Sequence, residues 1–272
     1  MKAWESALLS LKGPGLWWSP PKRNKTFDWS PGSNLGGFVR NCSKEPHVLP
    51  LKDDIPTERV PVVTIGLIAL NILVFLYQLY LGPQQRVFIH ALGVVPFEIV
   101  HNTDLAPRIN LPLKATIFTA MFIHGGLFHI FGNMLYLWIF GNNVEDVLGR
   151  ATFLLFYLGC GVLAAYSQIY INPSSRIPMI GASGAVSGVL GAYLLLYPRA
   201  RILTLIFLGF FIQIIRVPAI FVLSFWIILQ LINGTAALSS GSTGVAWFAH
   251  IGGFVAGLAF LKLFLSLKPR SS

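Results

Sequence analysis

Residues 177–198 read IPMIGASGAVSGVLGAYLLLYP, a segment without Lys, Arg, Asp or Glu that is long enough to cross a bilayer as a helix. Similar charge-free stretches occur at 60–85, 115–144, 151–175, 202–215 and 217–261. Of all 272 residues, 54% are hydrophobic and only 11% are charged, and the mean hydropathy is +0.67. Because so apolar a chain cannot cover its surface in water, an ordinary soluble protein and a mainly disordered chain are both excluded.

The lengths of these stretches predict six membrane-spanning helices. The last stretch is twice as long as one span, and Gly, Ser and Thr residues within 233–244 divide it into two helices, 217–232 and 245–261. Segment 202–215 is short for a span and is predicted to be interfacial or re-entrant. The predicted fold class is therefore an all-α integral membrane protein, a bundle of six transmembrane helices.

The predicted bundle occupies residues 48–268, between a disordered cytoplasmic tail at 1–47 and a short C-terminal tail at 269–272. The connection 82–114 forms a long first outer loop. Lys and Arg are more numerous in the segments that lie on the same side of the membrane as the N-terminus. This predicts that both termini are cytoplasmic. The net charge of +10 is explained by these loops, so the lipid bilayer is the predicted partner and nucleic acid is not. The sequence leaves the oligomeric state open.

Three clusters of polar and small residues interrupt the spans, where polar groups are functional candidates because the bilayer disfavours them. They are HGGLFHIFGNM at 124–134, GASGAVSG at 181–188 and AHIGGFVAG at 249–257. Taken singly, each cluster has a simpler explanation. Glycines at helical spacing let helices pack closely, and one Ser or His near a helix start is more often a packing or interfacial residue.

Topology brings three of these side chains to one depth. With six spans and an internal N-terminus, the second, fourth and sixth helices all begin at the outer face. His129, Ser183 and His250 each lie within about two turns of such a beginning. A serine hydroxyl needs a base to become a nucleophile, and His250 is the candidate. Since no Asp or Glu accompanies them, the sequence predicts a Ser–His dyad rather than a triad.

The same layer contains hydrogen-bond donors for an oxyanion. Ser183 begins a helix, whose first N–H groups are unpaired and carry the positive end of the helix dipole. The Asn133 amide and the His124 ring are candidate side-chain donors, with His129 one turn from Asn133. His124 and His129 are five residues apart without a carboxylate, which does not fit a zinc motif. Neither a metal nor a cofactor is predicted.

The clusters together resemble the motifs of the rhomboid family of intramembrane serine proteases. The resemblance covers about residues 50–262 and rests on His-Gly-Gly-x-x-His-x-x-x-Asn-Met, Gly-x-Ser-Gly, Ala-His-x-x-Gly-x-x-x-Gly and Glu145-x-x-x-Gly149-Arg150. It implies a six-helix rhomboid-like core with Ser183 as the nucleophile and His250 as the general base. The implied oxyanion donors and supporting residues are Asn133, His124, the Ser183 N–H, His129, Gly181 and Gly184.

The resemblance also implies substrates and a location. The substrates would be single-span membrane proteins, which are cut near the outer face. The six-span layout suits a bacterial cytoplasmic membrane. Some family members have an aromatic residue four positions after the nucleophile, which packs beneath the histidine. This sequence has Ser187 at that position. How the His250 ring is held is therefore open at this stage.

Two other functions compete with proteolysis. A catalytically inactive rhomboid-like scaffold would bind transmembrane proteins without cutting them, which the presence of both Ser183 and His250 disfavours. A small channel or transporter would need polar residues down to the cytoplasmic side. The inner halves of the even-numbered spans contain Leu, Val, Phe and Ala instead.

Overall fold

The computed structural model describes residues 47–105, 111–208, 211–240 and 244–267. The predicted tails at 1–47 and 269–272 lie outside the described residues, except for His47.

Long helices make up most of the described part of the chain. They are α1 (Val62–Tyr80), α5 (Leu127–Leu148), α6 (Arg150–Ile171), α7 (Ser183–Leu196), α8 (Ala219–Ser240) and α9 (Trp247–Leu267). Between α1 and α5 lie the shorter helices α2 (Gln85–Leu92), α3 (Pro96–His101) and α4 (Thr116–Thr119), with 3-10 turns at Gly82–Gln84, Leu113–Ala115 and Ala120–Phe122. The strands are β1 (His47–Lys52), β2 (Arg201–Leu208) and β3 (Phe211–Pro218).

The predicted helical membrane bundle is confirmed. Helices α1, α6 and α9, together with Ala219–Leu238 of α8, are long and apolar enough to cross a membrane. Helix α5 and the preceding segment Leu113–Phe122 are long and apolar enough only when taken together, and the two are bent by 82°, as in a broken span or a re-entrant loop. The chain is therefore a multi-pass integral membrane protein. The long connection 82–114 contains the short helices α2 and α3.

Helix α7 is the short central helix of the bundle. Every residue from Gly184 to Tyr193 is buried, so the helix contacts protein on all sides. Its 14 residues span about 21 Å, against a hydrocarbon core of about 30 Å. A helix this short leaves room above its first residue, Ser183, for a cavity within the depth of the membrane.

Helices α7 and α9 pack with their backbones in contact. A Cβ atom on Gly253 would collide with the carbonyl oxygen of Gly184, and one on Gly257 would collide with that of Gly188. The glycine faces seen in the sequence thus allow the backbones of the two helices to approach closely. This contact fixes the distance between the first turns of the two helices.

Segment 202–215, which the sequence predicts to be interfacial or re-entrant, consists of strands that the predicted all-α fold does not include. Strands β2 and β3 pair antiparallel there, and β1 pairs antiparallel with β2, which gives the order β1-β2-β3. Ile202 and Thr204 are buried while Leu203 and Leu205 are partly exposed, the alternation expected of a strand. Length and hydropathy alone do not separate such a hairpin from an interfacial helix. The sheet follows the end of α7 opposite to Ser183.

The prediction of a loop at 233–244 is wrong for residues 233–240, which are helical. Helix α8 continues through Asn233, Gly234 and Thr235 to Ser240. The Thr235 hydroxyl donates to the Leu231 carbonyl one turn back, at 2.9 Å. A Cβ on Gly234 would lie 3.3 Å from the Trp247 Cβ, so this glycine serves a close helix contact and does not break the helix.

The end of α5 holds the beginning of α1. Glu145 accepts hydrogen bonds from the Val63 and Thr64 N–H groups at 3.0 and 2.8 Å and from the Thr64 hydroxyl at 2.8 Å. These are first-turn N–H groups of α1, which lack helical partners and favour a negative charge. Gly149 then adopts a φ of +76°, a conformation that favours glycine. Glu145 and Gly149 of the sequence motif therefore have structural roles.

A buried aspartate connects the segment after β1 to the bundle. Asp53 is only 9% exposed, and its Oδ2 accepts hydrogen bonds from Asn143 Nδ2 at 2.6 Å and from the Tyr193 hydroxyl at 2.7 Å. Burial raises the pKa of the Asp53 carboxyl above its ordinary value, although the Tyr193 hydrogen bond acts in the opposite direction.

We expect Asp53→Asn to remove a pH dependence of stability. A raised folded-state pKa gives stability that is complete below the unfolded pKa and is lost as the pH rises through the folded pKa. Asparagine keeps the accepting oxygen but cannot ionise. Thermal unfolding in detergent from about pH 4 to pH 8 should show equal Tm values in acid and a higher Tm for the variant at neutral pH. A wild type that is the more stable protein at neutral pH would contradict this expectation.

Candidate active site

The structure brings Ser183 and His250 together, although they are 67 positions apart in the chain. Ser183 is the first residue of α7, and His250 lies in the first turn of α9. The Ser183 Oγ and the His250 Nε2 are 2.8 Å apart, a hydrogen-bond distance. A hydroxyl in this position can pass its proton to the imidazole as the oxygen attacks a carbonyl.

The second ring nitrogen of His250 contacts a residue that the sequence analysis missed. His250 Nδ1 lies 2.8 Å from Gln230 Oε1, on α8. The rings of Trp226 and Trp247 flank the imidazole, with centroids 6.0 and 6.3 Å away. Ser187 does not take part, because its hydroxyl donates to the Ser183 carbonyl at 2.6 Å. A polar residue within the apolar stretch 217–232 was the available signal for Gln230.

The serine and histidine face a cavity of about 400 Å³. His129 and Asn133 also line it, and most of the remaining lining is apolar, including Met121, Leu190 and Trp226. A pocket with apolar walls and a few converging polar groups is typical of an enzyme site. Ser183 and His250 are both partly buried, so they sit in the wall of the cavity rather than on the protein surface.

Asn133 is placed to donate into this cavity. It is 6% exposed, and its Nδ2 donates to the His129 carbonyl on its own helix at 3.0 Å. The second hydrogen of the amide is then available to a group in the cavity. The N–H groups of the first turn of α7, beginning with Ser183, have no partner within the helix.

Of the two predicted histidines, His129 lines the cavity and His124 does not. His129 Nδ1 accepts a hydrogen bond from the Gly125 N–H at 3.3 Å, which leaves the proton on Nε2. The Nε2 edge lies against Gly181, where a Cβ would be 2.7 Å away. Gly181 also has a φ of +120°, so this position favours glycine for two reasons.

His124 lies behind His129, fully buried, with the two rings edge to face at 5.1 Å. Neither of its ring nitrogens has a hydrogen-bond partner among the described residues. Gln78 of α1 holds the backbone at this point. It donates to the His124 carbonyl at 2.9 Å and accepts from the His124 N–H at 3.0 Å. Gln78 is a second polar residue in a span that the sequence analysis did not consider.

No three His, Cys, Asp or Glu side chains within the described ranges come together in a way that would hold a metal ion.

The family model described as Rhomboid domain matches residues 114–267, more than half of the chain. Rhomboid protein 1, mitochondrial, of Saccharomyces cerevisiae is 34% identical over 98 residues, which are 35% of this chain and 28% of that protein. Presenilin-associated rhomboid-like protein, mitochondrial, of Homo sapiens is 33% identical over 149 residues, 54% of this chain and 35% of that protein. Rhomboid protease GluP of Bacillus subtilis is 33% identical over 141 residues, 52% of this chain and 24% of that protein. The matches thus span between 24% and 35% of these relatives.

Proposed function

This chain belongs to the rhomboid family, and we propose that it is a serine endopeptidase that cuts membrane-spanning segments of other proteins. The observation that carries the proposal is the 2.8 Å contact between Ser183 Oγ and His250 Nε2 in the wall of a cavity. One matched relative is named a rhomboid protease. The contact supplies the pairing of nucleophile and base that acyl transfer requires.

In the proposed reaction, His250 Nε2 takes the Ser183 proton while Oγ attacks the substrate carbonyl carbon. The resulting oxyanion accepts hydrogen bonds from the Ser183 N–H, the Asn133 amide and the His129 Nε2–H. We assign the ring donor to His129 rather than to the sequence-predicted His124, because His129 lines the cavity. His250 then protonates the leaving amine, and water hydrolyses the acyl-enzyme by the same steps in reverse.

The depth of the site supports a substrate that spans the membrane. Helix α7 is about 9 Å shorter than the hydrocarbon core, which supports a position for Ser183 below one membrane surface. A transmembrane helix satisfies its own backbone hydrogen bonds, so a substrate has to unwind locally to present a carbonyl. Substrates whose helices unwind easily near that surface are therefore favoured.

For orientation, we propose that both termini and the β-sheet lie on the cytoplasmic or equivalent side, with Ser183 near the opposite face. The sheet adjoins the end of α7 away from Ser183, which agrees with this arrangement. A bacterial cytoplasmic membrane stays a prediction, since the matched relatives include mitochondrial proteins and a bacterial protease.

The direct test is cleavage of a single-span reporter protein in proteoliposomes containing either the wild type or Ser183→Ala. We expect the wild type to cut the reporter within or next to its transmembrane segment, at a position that mass spectrometry maps, and the variant to leave it intact. A wild type that co-purifies with the reporter but never cuts it would indicate the scaffold function instead. Cleavage that continues in the Ser183→Ala protein would reject the proposed nucleophile.

A further inference from the structure

Gln230 lies in the middle of α8 and is only 7% exposed. A polar side chain at this depth is unfavourable unless its hydrogen bonds are satisfied. Both ends of the amide have a partner: Nε2 lies 3.2 Å from the Trp226 carbonyl oxygen, and Oε1 lies 2.8 Å from His250 Nδ1. The partners explain why the bundle tolerates glutamine here.

These two contacts determine where the His250 proton resides. The Trp226 carbonyl can only accept a hydrogen bond, so the amide nitrogen of Gln230 faces it and Oε1 faces the imidazole. Because Oε1 can also only accept, His250 Nδ1 has to carry the ring proton. Nε2 then presents a lone pair to the Ser183 hydroxyl, as a general base requires.

We propose that Gln230 is a positioning residue that holds His250 in the Nδ1–H tautomer and fixes the rotation of its ring toward Ser183. The proposal rests on the protease function proposed above. Gln230 occupies the place that a carboxylate has in a Ser-His-Asp triad, but it does so without a charge. An amide suits this position because an ionised side chain at the centre of a span is far more unfavourable than a neutral one.

The other neighbours of the ring do not supply this constraint. The indoles of Trp226 and Trp247 restrict the space around it, with interplanar angles of 38° and 88°, but neither bonds to Nδ1. Ser187, at the position where some rhomboid family members have an aromatic residue, donates its hydroxyl to the Ser183 carbonyl instead. In the part of the chain that the structure describes, Gln230 is the hydrogen-bond partner of Nδ1.

The test compares Gln230→Met with Gln230→Glu in the proteoliposome cleavage assay. Methionine matches glutamine in length but cannot accept the Nδ1–H bond, so kcat should fall about 10- to 100-fold, the equivalent of one or two hydrogen bonds. KM should stay unchanged, because Gln230 is not among the residues that line the cavity. Glutamate in its neutral form keeps an oxygen that accepts from Nδ1–H and a hydroxyl that donates to the Trp226 carbonyl, so this variant should retain most of the wild-type kcat.

Gln168→Met is the matched control. Gln168 is also 7% exposed, and its Oε1 accepts from the Phe248 N–H of the same helix α9 at 3.1 Å, without touching the imidazole. This variant should lose thermal stability but keep the wild-type kcat. A ¹⁵N spectrum of labelled histidine gives a readout independent of catalysis. It should show His250 as the Nδ1–H tautomer in the wild type. In Gln230→Met it should show a mixture of the Nδ1–H and Nε2–H tautomers.

A Gln230→Met protein with wild-type kcat and an unchanged spectrum would overturn the proposal. So would equal losses of kcat in the Gln230 and Gln168 variants, because a general loss of packing would then explain both. Failure of the protease function gives a different result, in which the wild type itself shows no Ser183-dependent cleavage.

Discussion

Replacing Gly253 by alanine is expected to remove most of the proposed proteolytic activity, although neither Ser183 nor His250 is changed. The added Cβ would collide with the Gly184 carbonyl oxygen, so α9 has to move away from α7. A displacement of about 1 Å between reacting groups can reduce a rate about 100-fold, and we expect kcat to fall by at least that factor. Overpacking of this kind should also reduce the free energy of unfolding by about 1–3 kcal/mol.

Gly66→Ala is the control for this substitution. Gly66 lies within α1, and a Cβ there would meet nothing within 4 Å. Alanine should therefore stabilise the helix by about 0.5–1 kcal/mol and leave kcat unchanged. Kinetics and thermal unfolding of both variants in the same detergent make the comparison. Wild-type kcat in Gly253→Ala would show that close contact between α7 and α9 does not set the Ser–His distance.

Ser183→Ala, His250→Ala and the double variant are expected to lose the same amount of activity. Nucleophile and base act as one unit, so removing either should reduce kcat by roughly 10³- to 10⁶-fold, and removing both should cost little more. The residual rates are measured with the reporter protein in proteoliposomes. Losses that multiply in the double variant would mean that the two residues act independently, contrary to their 2.8 Å contact.

Ser187→Ala is a control for the loss of a hydroxyl from α7. Ser187 lies one turn after Ser183, and its hydroxyl donates only to the Ser183 carbonyl, at 2.6 Å. We expect this variant to keep kcat within a few-fold of the wild type, because a single neutral hydrogen bond within a helix contributes about 1 kcal/mol. A Ser187 variant as inactive as Ser183→Ala would point to the helix start, rather than the Ser183 hydroxyl, as the sensitive feature.

Much of the fold could be predicted because membrane insertion depends on local composition. Stretches without charge identify the long helices, and the parity of six spans brings Ser183 and His250 to the same side. The glycines of α7 and α9 were visible as a helix-packing pattern. For the same reason, local composition did not identify the hairpin of β2 and β3. A strand pair formed from Ile, Leu and Phe has the same hydropathy as an interfacial helix. The hairpin is distinguished from such a helix by its pairing with β1, which lies more than 150 residues away in the chain.

The remaining details of the candidate site depend on contacts between distant segments. Gln230 lies 20 residues before His250 on another helix, and no spacing rule connects the two. Which of His124 and His129 reaches the cavity depends on the backbone between α4 and α5. Gln78, 46 residues earlier in the chain, holds that backbone through hydrogen bonds to the carbonyl and N–H groups of His124. Gly234 was interpreted as a helix break, because sequence alone does not distinguish a glycine that ends a helix from one that lets a neighbour approach.

Covalent labelling tests most directly whether His250 activates the Ser183 hydroxyl in this cavity. The detergent-solubilised protein is treated with a serine-reactive phosphonate, and the modified residue is located by peptide mass spectrometry. We expect one adduct on Ser183 in the wild type and none on Ser183→Ala, with labelling of His250→Ala slowed to near background. An adduct on another residue, or a Ser183 adduct that forms equally fast without His250, would contradict the proposed catalytic pair.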